Sequence, residues 1–230
     1  MIQIGKATLH HGDCMEYLKD IPDNYYELAI VDPPYGIDVF ARQKSAHKKS
    51  GEKAKYTSKS GAWVNYKPKL WDDSAPSKDY FDEILRVSKN QIIFGANVLS
   101  GFLPINKKWI VWHKAPDGLN HGKCDLAWTS FEGAVDYFKY FLNESNGFLK
   151  DKDFGRIHPT QKPVKLYEWL LNNYAKTGDK ILDTHGGSFS SAIACNNLGF
   201  DFTGIELDKD YFDAAVKRVE AASKQIRMFA

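Results

Sequence analysis

The stretch ELAIVDPPYG, Glu27–Gly36, joins a short apolar run to a turn that contains two prolines. The run Glu27–Val31 predicts a buried strand, and the prolines prevent that strand from continuing. Apolar runs and helical patterns alternate along the rest of the chain, which predicts a parallel sheet covered by helices on both faces. The turn at Asp32 is therefore expected at the carboxyl end of a strand, where open α/β sheets bind their ligands.

Apolar periodicity outlines the other elements of this α/β fold. The predicted strands are Ala7–His11, Glu27–Val31, Gln91–Phe94, Lys108–Trp112, Gly133–Phe141, Lys180–Asp183 and Phe202–Glu206. The predicted helices are Lys78–Val87, Val164–Ala175, Ser190–Leu198 and Asp210–Ala222. We expect one domain over residues 1–230, because this length suits a single well-buried α/β domain.

The composition argues against several classes of protein. No run of about 18 uncharged apolar residues occurs, so no transmembrane helix is predicted. The N-terminus lacks the apolar core of a secretory signal. The three cysteines are widely spaced, which fits reduced thiols, and no cluster has the spacing of metal ligands. We expect a cytoplasmic protein with no membrane partner and no metal site.

A basic segment, residues 36–73, follows the proline turn and predicts a long surface loop. Between Arg42 and Lys69 it carries nine Lys or Arg residues against one Glu. Such an excess can neutralise the phosphates of DNA, and a passive solvated loop is the alternative. The candidate DNA-binding residues are Lys44, Lys48, Lys49 and Lys53. A second polar segment, residues 142–158, is a candidate for target recognition.

The proline turn presents hydrogen-bond acceptors to a substrate. Pro33 and Pro34 have no backbone N–H, and their carbonyl oxygens are free to accept. Asp32 adds a carboxylate. Fixed acceptors for both hydrogens of an amino group turn its nitrogen lone pair toward an electrophilic methyl group. Tyr35 offers a face on which a base can stack. An ordinary Asp-Pro turn is the alternative interpretation.

A glycine turn, Asp183–Ser188, joins a predicted strand to a predicted helix. Unpaired amides at such a helix N-terminus can receive a carboxylate or a sugar, and a tight structural turn is the alternative. Glu206 ends the next predicted strand, 23 residues after Asp183. An acidic residue at about this spacing can bind both hydroxyls of a ribose, and a solvated carboxylate is the alternative.

These motifs together resemble the β-group of DNA amino-methyltransferases, which includes small phage and prophage members. The resemblance covers nearly the whole chain in a characteristic order: Asp32–Tyr35, CDLAWTSF at Cys124–Phe131, HPTQKP at His158–Pro163, the turn from Asp183, and Glu206. It implies a Rossmann-like S-adenosylmethionine-dependent methyltransferase fold. That fold is a three-layer α/β sandwich with a circularly permuted motif order, and its mostly parallel sheet has one reversed strand.

The resemblance also implies roles for individual residues. Asp32 and the Pro33 carbonyl would hold the target amino group, and Tyr35 would stack on the flipped base, with Pro34 in the same catalytic turn. The implied cofactor-binding residues are Asp13, Thr160, Lys162, Asp183, His185, Gly187, Ser188 and Glu206. Asp13 would lie near the adenine of S-adenosylmethionine. The implied substrate is double-stranded DNA; a homodimer and a restriction partner are left open.

The resemblance has one departure and leaves the target base open. Phe189 stands where the family has the second glycine of the cofactor turn, so its ring is expected to crowd the cofactor. Asp32 favours adenine, because the cytosine-N4 enzymes of the family more often carry Ser there. The alternatives are a cytosine-N4 enzyme, a catalytically weakened DNA-binding protein, and an enzyme that methylates RNA or a protein glutamine. The expected host is a prokaryotic or phage-infected cell.

Overall fold

The computed structural model describes residues 1–36, 75–116, 122–141 and 157–229. Most of the basic segment and of the candidate recognition segment lies outside these ranges. The four lysines predicted to bind DNA, Lys44, Lys48, Lys49 and Lys53, are among the residues outside.

The described chain forms one nine-stranded sheet with helices on both faces. The strands are β1 Ile2–Ile4, β2 Ala7–His11, β3 Tyr26–Val31, β4 Ser88–Phe94, β5 Trp109–His113, β6 Cys124–Thr129, β7 Asp136–Lys139, β8 Lys180–Asp183 and β9 Asp201–Glu206. The helices are α1 Cys14–Leu18, α2 Lys78–Val87, α3 Ala96–Leu99, α4 Val164–Tyr174, α5 Ser190–Leu198 and α6 Lys209–Phe229. A 3-10 turn, Ser100–Phe102, follows α3. The order across the sheet is β1-β2-β9-β8-β3-β4-β6-β5-β7.

Strand β3 shows why the sheet is covered on both sides. Leu28 and Ile30 pack into the cluster under α4, α5 and α6, whereas Ala29 and Val31 pack into the cluster under α1, α2 and α3. All four side chains are buried. A strand buried on both faces has a continuous apolar sequence, which Leu28–Val31 provides after the half-buried Glu27. The predicted three-layer sandwich is confirmed.

The sheet is mostly parallel, as predicted, but two strands rather than one run against the others. Strand β1 pairs antiparallel with β2, and β6 pairs antiparallel with both β4 and β5. Only Gly5 and Lys6 separate β1 from β2, and so short a link permits only a hairpin. Gly5 has a φ of 60°, a conformation that glycine adopts easily.

Several elements differ from the predicted ones: β1 and α3 were not predicted, β4 begins three residues earlier, and α6 continues to Phe229. The motif CDLAWT forms strand β6, which was not predicted as a strand. Strand β7 covers Asp136–Lys139 and is shorter than the predicted strand Gly133–Phe141. Within the described residues it lies at the edge of the sheet with β5 as its one neighbour, so few backbone hydrogen bonds are available to extend it.

The parallel strands bring the motifs to one edge of the sheet. Strands β2, β9, β8, β3 and β4 are adjacent and run in the same direction. Their carboxyl ends therefore lie side by side. Asp13 follows β2, Asp32 follows β3, Thr184 follows β8, and Glu206 ends β9. The fold thus collects residues that are as many as 193 positions apart in the chain.

Candidate functional site

A cavity of about 450 Å³ opens at this edge of the sheet. Its volume lies in the range of small-molecule sites. Nine of the residues predicted from the sequence line it: Asp13, Asp32, Pro34, Thr160, Lys162, His185, Gly187, Ser188 and Glu206. Pro33, Tyr35 and Asp183 are not among its lining residues. The predicted catalytic turn and the predicted cofactor turn therefore open onto a shared space.

Two side chains hold the carboxylate of Asp32 in the cavity. The Tyr35 hydroxyl donates a hydrogen bond to Oδ1 of Asp32, and the Lys162 ammonium donates to Oδ2. The Lys162 side chain is only 6% exposed and that of Asp32 is 16% exposed. A charge-assisted contact between a buried ammonium and a half-buried carboxylate fixes the carboxylate more firmly than a surface ion pair does.

Tyr35 lies against the backbone at the end of β4. A Cβ atom on Gly95 would lie 1.9 Å from Cε1 of Tyr35, so the ring occupies the space that the missing side chain leaves. Burial, followed by the charge of Asp32, raises the pKa of the Tyr35 hydroxyl well above its usual value. The hydroxyl therefore stays protonated and donates to Asp32. The expected stacking face for a base stays a prediction.

Glu206 lies in the cavity wall beside the glycine turn. Its Oε2 accepts from the Gly187 amide at 2.7 Å, and its Oε1 accepts from the Asp208 amide at 2.8 Å. Burial raises the pKa of this carboxyl to about 7, although the two amides oppose the shift. Each carboxylate oxygen can accept a second hydrogen bond. Glu206 can therefore receive two neighbouring hydroxyl groups, as a ribose presents them.

Asp183 shapes the glycine turn from behind. Its Oδ1 accepts from the His185 amide at 3.1 Å, and its Oδ2 accepts from the Ser191 hydroxyl at 2.6 Å. The residue is 1% exposed, and burial raises its pKa to about 6. In this arrangement Asp183 ties the turn to α5 rather than facing the cavity. Its predicted contact with a cofactor stays a prediction.

His185 belongs to a polar cluster that the sequence did not indicate. Thr184 Oγ1 lies 2.7 Å from the Tyr80 hydroxyl and 3.0 Å from Nδ1 of His185. Burial lowers the pKa of His185 to about 4, so the imidazole is neutral at physiological pH. Tyr80 was missed because it lies on the apolar face of α2 and reads as a core residue. The hydroxyl group of Tyr80 is the one feature of the sequence that could have indicated a polar contact at this position.

Phe189 does not occupy the cavity, in contrast to the expectation that its ring crowds the cofactor. The side chain is fully buried. A Cβ atom on Gly186 would lie 1.9 Å from Cε1 of the ring, and one on Gly204 would lie 2.6 Å from it. The ring therefore fills a space that these two glycines leave in the core. Phe189 adopts the left-handed conformation, with a φ of 50°, in which a glycine is usual.

The HPTQKP motif forms a wall of the cavity beside the glycine turn. His158, Thr160, Gln161 and Lys162 all line the cavity. The Thr160 hydroxyl lies 3.1 Å from Nδ1 of His158, and a Cβ atom on Gly187 would lie 3.5 Å from the His158 ring. Because the ring packs this closely on the turn, the motif and the turn define the width of the cavity. His158 and Gln161 extend the predicted set of lining residues.

Asp13 caps the N-terminus of helix α1 and lines the cavity. Its Oδ1 accepts from the Met15 amide at 2.8 Å, which satisfies one free amide of the first helical turn. The Gly12 amide donates to the Glu206 carbonyl, which places Asp13 beside the end of β9. The two acidic side chains, Asp13 and Glu206, thus border the same part of the cavity.

Two general features of the described ranges bear on function. They contain no group of three His, Cys, Asp or Glu side chains that could hold a metal ion. Within the same ranges, no helix is long and apolar enough to span a membrane.

The sequence matches a family model and named relatives. The family model N6_N4_Mtase, described as DNA methylase, matches residues 111–217. Type II methyltransferase M.ScaI of Streptomyces caespitosus is 27% identical in an alignment 269 positions long. The alignment covers 96% of this chain and 83% of M.ScaI. Type II methyltransferase M2.DpnII of Streptococcus pneumoniae is 26% identical in an alignment 261 positions long. The alignment covers 95% of this chain and 91% of M2.DpnII.

Solved structures share the fold. The M1.HpyAVI–SAM complex aligns with a TM-score of 0.55 at 20% identity, over 92% of this chain and 99% of that one. The PvuII DNA methyltransferase, which is cytosine-N4-specific, aligns with a TM-score of 0.58 at 14% identity, over 96% and 92% of the two chains. The predicted methyltransferase fold is confirmed. In sequence and in fold, this chain is therefore similar to DNA methylases of the N6/N4 type.

Proposed function

We propose that this chain transfers a methyl group from S-adenosylmethionine to the exocyclic amino group of adenine in DNA. One observation carries the proposal: the Asp32 carboxylate opens onto the same cavity as Glu206 and the glycine turn. A group that can accept from an amino nitrogen thus lies next to groups that can hold a nucleoside. This combination suits a reaction between a base and a nucleoside-containing donor.

The proposed role of Asp32 follows from its hydrogen bonds. A carboxylate has about four lone-pair positions, and Tyr35 and Lys162 use two of them. The remaining positions can accept from a target amino group, together with the Pro33 carbonyl. Holding both N–H bonds directs the nitrogen lone pair away from the ring and stabilises the positive charge that develops on nitrogen. The base has to leave the duplex to reach this position.

The proposed cofactor site is the part of the cavity between Asp13 and Lys162. S-adenosylmethionine supplies the electrophilic methyl group when it is bound. Glu206 would accept from the ribose hydroxyls, and the Gly187 turn would lie against the methionine portion. The residues fit such a ligand, because Glu206 offers paired acceptors and Gly187 places only an amide and no side chain beside it. His185 is neutral and so does not repel the cationic sulfonium.

Cytosine N4 is the second candidate target. The PvuII enzyme, which is cytosine-N4-specific, has the same fold, so the fold alone does not distinguish the two bases. Adenine is favoured by Asp32, because the cytosine-N4 enzymes of the family more often have Ser at this position. Double-stranded DNA is the proposed partner. Its proposed contacts are Lys44, Lys48, Lys49 and Lys53.

The experiment that tests this function follows tritiated methyl transfer to duplex DNA and identifies the labelled nucleoside after digestion. We expect N6-methyladenine from the parent chain. The Asp32→Ala variant should be slower by about 100- to 1,000-fold, the usual effect of losing one preorganised contact. Its cofactor affinity and thermal unfolding are the controls. Label in N4-methylcytosine would show that cytosine, and not adenine, is the target base. Full turnover by the Asp32→Ala variant would contradict the proposed role of Asp32.

A further inference from the structure

The contact between Lys162 and Asp32 gives Lys162 a different role from the one that the family resemblance implies. The resemblance places Lys162 among the cofactor-binding residues, whereas its ammonium donates to Oδ2 of Asp32. We infer that Lys162 is a positioning residue for Asp32, whose carboxylate it holds in the orientation that receives the target amino group. The inference rests on the proposed function and adds a residue to it.

The surroundings of Lys162 hold its ammonium in place. The side chain is 6% exposed, and its Nζ lies 4.6 Å from the centre of the Phe94 ring. Phe94 ends strand β4, next to β3, and is itself fully buried. An ammonium over an aromatic face and against a carboxylate is attracted by both. The position of Lys162 is therefore set by two groups at the carboxyl edge of the sheet.

The reaction needs the Asp32 oxygens to face the target amino group. A carboxylate that nothing holds can rotate, and its lone pairs then point in several directions. Lys162 donates to Oδ2 and so fixes that oxygen. Tyr35 fixes Oδ1, so both oxygens are oriented before a base enters.

The position of Lys162 in the chain fits this assignment. It lies 130 residues after Asp32, in the HPTQKP motif, and directly before Pro163 and helix α4. The motif therefore brings a cation from the cofactor-binding half of the chain to the catalytic turn. A residue that acted on the cofactor alone would not need a hydrogen bond to Asp32.

A double-mutant cycle on the full chain tests the inference. The four proteins are the parent, Lys162→Met, Asp32→Asn and the double variant, and single-turnover methylation of duplex DNA is measured at saturating cofactor. If Lys162 acts through Asp32, Lys162→Met should slow the parent by about 100-fold, as for loss of one preorganised contact. In the Asp32→Asn background the same change should cost less than about threefold, because interacting residues are not additive.

Two further measurements separate a positioning role from cofactor binding. Calorimetry with S-adenosylmethionine should give an affinity for Lys162→Met within about threefold of the parent. The matched control is Lys165→Met, whose ammonium is exposed and pairs with Glu168 outside the cavity. Circular dichroism checks folding, and Lys162→Gln serves as a second variant with a similar volume if the methionine variant does not fold. Lys162→Arg, which keeps the cation, should recover part of the lost rate.

The outcomes distinguish this inference from the proposed function. An active parent chain in which the two substitutions have independent, multiplicative effects would overturn the inference alone. So would a Lys162→Met variant with an unchanged rate at saturating cofactor and an affinity at least tenfold weaker. A parent chain that methylates no DNA would overturn the proposed function and, with it, the role of Lys162.

Discussion

The burial of Glu206 in the cavity wall lowers the stability of the fold as the pH rises. Its carboxyl is buried, and its pKa of about 7 lies above the ordinary value of 4.5. The folded chain therefore binds more protons than the unfolded chain between these pH values, and stability falls as the pH rises through that window. The amides of Gly187 and Asp208 reduce this cost but do not remove it.

Removing the titrating group should flatten this pH dependence. The unfolding free energy of the parent chain should fall between pH 5 and pH 8. In Glu206→Gln this fall should be smaller by about 2–3 kcal/mol, because a shift of one pKa unit corresponds to about 1.4 kcal/mol. Urea unfolding at both pH values measures the difference. Asp183 is shared by both proteins and cancels. Glu132→Gln, at an exposed position, is the matched control. Identical slopes for the parent and Glu206→Gln would contradict the raised pKa.

The residues at the ends of strands were predictable, and the contacts between distant residues were not. Asp32 and Glu206 follow apolar runs, and parallel strands bring such positions to one edge. The ion pair between Asp32 and Lys162 depends on how α4 and β3 come together, which no local pattern describes. Tyr35 was predicted as a stacking face, but its ring position depends on Gly95, 60 residues later.

At the scale of elements, the turn between β8 and α5 is built around the Phe189 ring. The family resemblance predicted that Phe189 crowds the cofactor, because Phe189 stands where the family has a glycine and its neighbours were not considered. The structure instead fills the space above Gly186 and Gly204 with the ring. The sequence contains all three residues, but their proximity follows from the pairing of β8 with β9. The same kind of non-local pairing makes CDLAWT a central strand.

Phe189→Gly should therefore destabilise the fold rather than improve cofactor binding. Release from the left-handed conformation is worth about 1–2 kcal/mol, whereas removing a buried Phe side chain costs about 3–5 kcal/mol. The expected net loss is about 1–4 kcal/mol in urea unfolding. Calorimetry should show cofactor affinity within about threefold of the parent. A variant that is as stable as the parent and binds the cofactor more tightly would show that the ring does crowd the site.

At the scale of the whole molecule, the distribution of charge matters more than its sum. The chain has 31 Lys or Arg and 29 Asp or Glu residues. The stretch from Arg42 to Lys69 holds nine of the basic residues and one of the acidic ones, so the remainder carries 22 basic against 28 acidic residues. The remainder is thus net negative and repels DNA at long range. Attraction to the phosphates is expected to come mainly from the basic stretch.

Four of these lysines provide the test. Replacing Lys44, Lys48, Lys49 and Lys53 with Ala should weaken binding to duplex DNA and flatten its salt dependence. Each phosphate contact contributes about 0.9 to the slope of log affinity against log salt, so four lost contacts reduce the slope by as much as about 3.6. Fluorescence anisotropy between about 50 and 200 mM salt measures it, and cofactor affinity should not change. The control replaces four exposed lysines that pair with acidic groups, Lys19, Lys89, Lys165 and Lys209, and so makes the same change in net charge. If both quadruple variants shift the slope equally, attraction depends on net charge alone, and the basic stretch does not contact the DNA backbone.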